Sequence, residues 1–399
     1  MGGVRARSMR RLLSLLPALL LCALVPTVAL AQPRLLVGAS EDAAKQPNLA
    51  VAQAKMDLAK LAGLDAMRLT APWRPGQSQP SAWDALVLGN AAAAAQLDGI
   101  RLFVSVYPAS GRFAPLTATE RAQFASYAAS LAQQLPGVKD FIVGNEPNLN
   151  RFWLPQFSAR GTDSSAPAYE LLLAKTYDAL KAVDPTINVV GGALSPRGED
   201  KPGSRRPTHS PTTFMRDLGR AYRGSGRTRP IMDMLSFHPY PEHARTPPTL
   251  SHPGSSVIAL NDYEKLVRLL GQAFGGTAQP GGTLPILYDE FGVQSQIVGD
   301  KARLYTHGNA PAARDAVSES MQATYYREAL QLAACQPSVV GLLFFHVSDE
   351  NDLRAWQSGL FYADDTPKAS LEPVREAAEA AERGTLTSIC SFAKLAFEP

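Results

Sequence analysis

No Ser/Gly/Pro-rich linker divides the chain near its middle, which argues for one large domain over two independent halves. There is no His-x-x-x-His motif, so a bound metal is not expected. No Gly-rich phosphate turn follows the first apolar run, which counts against a dinucleotide-binding open sheet, and no cofactor is expected. Beyond residue 31 no apolar run is long enough to span a bilayer.

What the chain does have begins with a leader. Arg5, Arg7, Arg10 and Arg11 precede an apolar run from Leu12 to about Val25, and Ala29-Leu30-Ala31 offers a small-x-small cleavage site. That order is the pattern of a secretory signal peptide over 1–31, so the mature protein is expected to start near Gln32 and to be exported, extracellular or periplasmic. Arg10-Arg11 leaves a twin-arginine route open, and Leu21-Cys22 a poor lipoprotein site. The leader also explains the charge. Removing its four arginines from 39 Lys+Arg leaves 35 against 36 Asp+Glu, so neither nucleic acid nor an acidic membrane surface is an expected partner. Of three cysteines, Cys22 leaves with the leader. Cys335 and Cys390 can pair in an exported protein or stay as two buried thiols, and the expectation is a bridge holding a C-terminal tail, 386–399, on the domain.

From Arg34 onward, short apolar branched runs alternate with segments of helical spacing. The runs are Arg34–Gly38, Ala66–Thr70, Arg101–Tyr107, Asp140–Gly144, Asn188–Gly192, Met232–His238, Leu284–Glu290 and Val340–His346. Helices are expected over Ala50–Ala62, Thr119–Gln134, Ala168–Val183, Val257–Phe274, Arg314–Ala334 and Leu371–Arg383. About eight strand-helix units in an undivided chain predict an α/β fold, a (β/α)₈ barrel over 32–385, with a doubly wound sheet as the rival. Polar residues gathered at strand ends favour the barrel, because there those ends share one mouth.

The strand ends carry Arg68, Tyr107, Asn145-Glu146, His238-Pro239-Tyr240, Asp289-Glu290 and His346. Two glutamates facing each other across a mouth, among an arginine, an amide, histidines and a tyrosine, suit glycoside hydrolysis. One carboxyl protonates the leaving oxygen, and the other attacks or activates water. With Asn145-Glu146-Pro147, His238-Pro239-Tyr240 and Glu290-Phe291-Gly292 in that order after Arg68, and Gly359-Leu360-Phe361-Tyr362 before Thr366-Pro367-Lys368, the chain resembles clan A of the glycoside hydrolases. These are retaining (β/α)₈ enzymes that include cellulases, β-xylosidases and β-galactosidases. The resemblance implies Glu146 as acid/base and Glu290 as nucleophile, Asn145 on the sugar 2-hydroxyl, Arg68 and Tyr240 beside Glu290, and His238 near Glu146. It implies an oligosaccharide, polysaccharide or other glycoside as the binding partner. One departure stands out: where clan members commonly end strand eight with a tryptophan platform, this chain has Phe344-Phe345-His346. Trp356 reaching back from the loop, or His346 making a polar contact, are the two candidates to replace it.

Taken singly, either glutamate is more often a solvated or salt-bridged side chain; the ordered set reverses that reading. Trp73 and Trp153, after the second and fourth strands, are expected to be sugar platforms, and Trp83 a core residue. Asp349-Glu350-Asn351-Asp352 lacks the spacing of a calcium loop and is expected to be a solvated loop or substrate rim. The basic run Arg197, Lys201, Arg205, Arg206 is expected to be a solvated face, and the long loops Ser195–Pro211 and Val293–Ala313 to be lids or rims. A binding barrel that has lost turnover is the alternative from another class. Oligomeric state is not legible.

Overall fold

The pattern of helix starts explains much of the layout. Asn48 accepts from the amides of Ala50 and Val51, and Thr117 and Glu120 form a reciprocal capping box. Ser81, Ser210 and Ser318 likewise cap the helices that follow them, the second with Pro211 at the first helical position. The computed structural model describes residues 1–3, 34–308, 315–386 and 390. The expected leader, nearly all of the expected tail and residues 309–314 of the second long loop lie outside the described residues.

The strands are β1 (Leu36–Ser40), β2 (Ala66–Trp73), β3 (Arg101–Pro108), β4 (Asp140–Val143), β5 (Asn188–Leu194), β6 (Met234–Phe237), β7 (Ile286–Phe291) and β8 (Val339–Phe344). Each pairs in parallel with the next, and β8 returns to β1, closing the barrel. The helices are α1 (Leu49–Leu61), α2 (Ala82–Asp98), α3 (Ala118–Gln134), α4 (Ser165–Val183), α5 (Pro211–Gly224), α6 (Tyr263–Phe274), α7 (Glu319–Ala334) and α8 (Leu371–Glu382). The (β/α)₈ expectation is therefore met, and a doubly wound sheet is excluded by the β1–β8 pairing. α5 was not among the helices expected, and of α2 only a start at Trp83 was.

Alternation along the strands sorts the core into two parts. Outward residues such as Met67, Leu69, Phe141, Val143 and Phe291 pack under the helices. Inward residues Ala66, Phe103, Ile142, Val190, Met234, Leu287 and Leu343 fill the barrel. Above that apolar layer lie Ser40, Arg68, Ser105, Ser236 and Asp289, all buried. A barrel interior tolerates such a layer only when its polar groups satisfy one another, and this layer is the floor of the mouth.

Cys335, the C-cap of α7, is bridged to Cys390 across 55 residues of sequence. Closing a loop of that length stabilises by about 4 kcal/mol in the chain-entropy model. Replacing both cysteines by serine is expected to lower the urea midpoint accordingly, and an unchanged midpoint would show that the bridge contributes nothing.

Candidate active site

The end of β4 turns abruptly. Gly144 has φ 99°, and a Cβ there would meet the Tyr169 ring at 2.9 Å, so glycine is required on both counts. Two residues on, Glu146 itself lies in the left-handed region at φ 41°, a conformation costing roughly 1–3 kcal/mol. What holds it is the neighbouring strand: the Glu146 amide donates to the Ala193 carbonyl at 2.7 Å. Behind both strands the Tyr169 hydroxyl donates to Val143 O at 2.6 Å and accepts from the Gly192 amide at 2.7 Å. Tyr169→Phe strands a buried carbonyl and a buried amide, so we expect a loss of about 1–3 kcal/mol in urea unfolding. Wild-type stability in that variant would remove Tyr169 as the prop.

Arg68 was expected at a strand end but is the third residue of β2, which runs on to Trp73; buried there, it is the hub of the mouth. Its Nη1 contacts Glu290 and donates to Ser40 Oγ at 3.0 Å; its Nη2 donates to Asn145 Oδ1 at 2.7 Å and Ser105 Oγ at 3.2 Å. Nε lies 3.3 Å from Asp289 Oδ2. Burial works against the guanidinium charge, yet Glu290 and Asp289 outweigh it and raise its pKa. With Oδ1 occupied, Asn145 has its amide NH₂ left to meet a ligand.

His238 is wedged among three carboxylates. Nδ1 is 3.2 Å from Glu146 Oε1 and 3.5 Å from Glu290 Oε2, and Nε2 is 3.3 Å from Asp289 Oδ1. Burial opposes its charge, but Glu290 and Asp289 push its pKa up to about 10, so it is an imidazolium at neutral pH. Asp289 moves the other way: burial would raise it, and His238 with Arg68 hold it below the usual range. Tyr240 donates its hydroxyl to Glu290 Oε2 at 3.1 Å. Glu290 is thus contacted by an arginine and a phenol as well as by His238, whereas Glu146 has His238 alone of the three.

These groups open on a cleft of about 880 Å³ lined by Arg68, Tyr107, Asn145, Glu146, Tyr240, Glu290 and His346 among others. Phe345, His346 and Trp356 form its wall on the β8 side. Trp356 packs on Tyr240 and Phe345, with centroids 5.6 and 5.4 Å away, so the tryptophan does reach back from the loop. His346 also lines the cleft, 3.8 Å from Glu350, and burial pulls its pKa down. Arg197 lines the opposite wall; burial lowers its pKa, with Glu242 and Glu146 opposing.

Several expectations need correction. Trp73 and Trp153 are buried in the outer core against Phe124 and Tyr169, outside the cleft. Trp73 is the last residue of β2 and Trp153 follows β4, and both pack between barrel and helices, so neither is a platform. Trp83 is the reverse: expected in the core, it is 59% exposed on the first turn of α2. His238 is fully buried, so it acts on the glutamates from behind and does not line the cleft. Within the basic run, Arg197 and Arg206 line the cleft. Asp349 is taken up by Lys368 at 2.7 Å, Tyr305 at 2.6 Å and the Gly359 amide at 2.9 Å. Sequence reasoning missed Glu41, Asp42, Arg151 and Phe152 on the rim, and gave no role to Asp289.

Similar closed barrels are found among solved structures. One is a monomeric β-xylosidase from Caulobacter crescentus CB15, at 17% identity and a TM-score of 0.53, covering 86% of this chain and 69% of that one. A GH5_18 protein from Streptomyces cattleya, solved in complex with GlcNAc, matches at 15% identity and a TM-score of 0.56 over 90% of this chain and 88% of that one. The match to a Bacteroides uniformis β-glucuronidase 2 mutant, at 17% identity and a TM-score of 0.53, covers 87% of this chain and only 34% of the other. At such identities the likeness is one of fold. No protein-family model matches the sequence, and no curated protein matches it either.

Proposed function

We propose that the chain is a retaining glycoside hydrolase with Glu290 as nucleophile and Glu146 as acid/base. The observation that carries this reading is a single nitrogen, His238 Nδ1, lying 3.2 Å from one glutamate and 3.5 Å from the other. The two carboxyl oxygens are separated by the sum of those distances only if the nitrogen lies on the line between them, and by less in any bent arrangement. That upper bound of about 6.7 Å lies at the bottom of the roughly 6.5–9.5 Å range that admits a water, so a bend at the nitrogen takes the pair below it, towards the roughly 5–5.5 Å of direct attack.

The unequal neighbours assign the roles. An attacking carboxylate must be ionised and aimed, which Arg68 and Tyr240 provide at Glu290; a proton donor needs the less cationic place, which is that of Glu146. Asn145 has its amide NH₂ available for a sugar hydroxyl, and Trp356 offers an aromatic face beside Tyr240. The substrate is an oligosaccharide, polysaccharide or aryl glycoside. Several structural neighbours are named as glycosidases, which agrees with this class. The leader pattern makes it an exported enzyme, and N-terminal sequencing of the protein recovered from culture medium or periplasm checks cleavage near Gln32.

Proton NMR during hydrolysis of an aryl glycoside, chosen by screening a panel, tests the mechanism. The first sugar released is expected to keep the substrate's anomeric configuration. Inversion in the first product would sink the double displacement.

A further inference from the structure

The charges on the cleft walls are unevenly placed. Glu41 and Asp42, after β1, and Glu350, after β8, lie on one side; Arg151, after β4, and Arg197 and Arg206, after β5, lie on the other. Among the described residues none of the three arginines forms an ion pair. Arg197 is half-buried and donates only to the Tyr240 carbonyl, at 3.0 Å, which leaves most of its fork unused. The carboxylates nearest that wall are already engaged: Glu242 with His252 at 2.6 Å, and Asp315 with His243 at 3.2 Å. Glu242 and Glu146 lie near enough to favour the charge of Arg197 without pairing with it, and the free part of its fork is complemented by an oxyanion brought by the ligand.

We infer that the β4–β5 wall binds an acidic sugar, so that the portion of the substrate lying beside Glu146 carries a carboxylate. Arg197 makes the directed contact, and Arg206 and Arg151 supply field at the exposed rim. The inference rests on the glycosidase reading, since Glu146 protonates the oxygen of the portion that leaves, which places the acid in that leaving portion. On the opposite wall Asp42 is paired with Lys45 at 2.8 Å and burial pushes Glu41 up to about 7, so that wall offers a second acid no complement and a uniformly acidic chain gains nothing there.

The test is calorimetric binding of matched tetrasaccharides that differ only at carbon 6: cello-oligomers against their counterparts bearing one uronate at the reducing end, with the corresponding galactan and xylan pairs alongside. In at least one pair the uronate form is expected to bind roughly tenfold more tightly at low salt. Arg197→Gln is expected to bring the uronate form's affinity down to that of its neutral partner, and Arg206→Gln, at an exposed position that folding does not depend on, to reduce the preference by about half. Equal affinity in every pair, no binding by any uronate, or a preference untouched by both substitutions overturns the inference. Turnover is read separately: acid-selective binding without hydrolysis would refute the glycosidase reading and keep the anion site, and hydrolysis without acid selectivity would do the reverse.

Discussion

Glu290→Ala is expected to lower turnover of aryl glycosides by roughly 10⁴-fold or more, the scale on which loss of a nucleophile is felt. The fold should survive the change, although the variant leaves Arg68 and Tyr240 facing a small void where the carboxylate was. That void is also the diagnostic. Azide is small enough to occupy it, carries the charge Arg68 has lost, and attacks an activated glycoside from the face Glu290 used, giving a glycosyl azide of inverted configuration. Activity within about tenfold of wild type would show that another group attacks.

Glu146→Ala separates the two chemical steps. A good leaving group such as dinitrophenolate needs little protonation, so the glycosyl-enzyme still forms and a burst of phenolate is expected. Hydrolysis of that intermediate stalls because no base activates water, and poorer leaving groups lose roughly 10²–10⁴-fold at the first step. Azide needs no base, so rescue yields the retained anomer, opposite to that from Glu290→Ala. The reverse pairing of anomers would mean that the two roles are exchanged.

Why the barrel was legible and parts of its mouth were not follows from how each signal is encoded. Strands buried on both faces read as continuous apolar runs, so β2, β3, β4 and β5 were recognised with their starts correct. At β6 and β7 the reading ran two residues early, because Met232 and Leu284 are apolar and buried yet precede the ladder. The alanine run in α2 gives little amphipathic contrast, whereas α5, with three arginines beside a buried face of Phe214, Met215, Leu218 and Tyr222, carries a clear helical pattern that was overlooked.

The two glutamates with Asn145 and Tyr240 were legible because each sits within three residues of the mouth-side end of its strand, where the barrel fixes position; Arg68 lies inside β2 and faces the mouth through strand alternation instead. Their hydrogen bonds fall as that placement implies. Side chains in longer loops escape this logic. Trp153 lies on the mouth side in sequence, but a loop is free to turn an aromatic ring back into apolar packing, and here it does; Trp73 is buried because β2 runs on to include it and strand alternation points it outward with Met67, Leu69 and Ala71. Arg197 and Arg206 reach the cleft only through the path of Ser195–Pro211, which no periodic signal records.

One buried contact has a use beyond stability. Lys368 and Asp349 meet with both side chains fully buried, and they are the two ends of a segment that contains Trp356. A lysine ammonium here clasps the neck of a loop whose tip forms part of the cleft wall. The tip can therefore be lengthened, shortened or exchanged while the barrel and its two glutamates stay where they are. Leu360 and Phe361 further along are fixed in the core, so the exchangeable part is the stretch from Glu350 to Trp356, the natural place to retune which ligand the cleft admits.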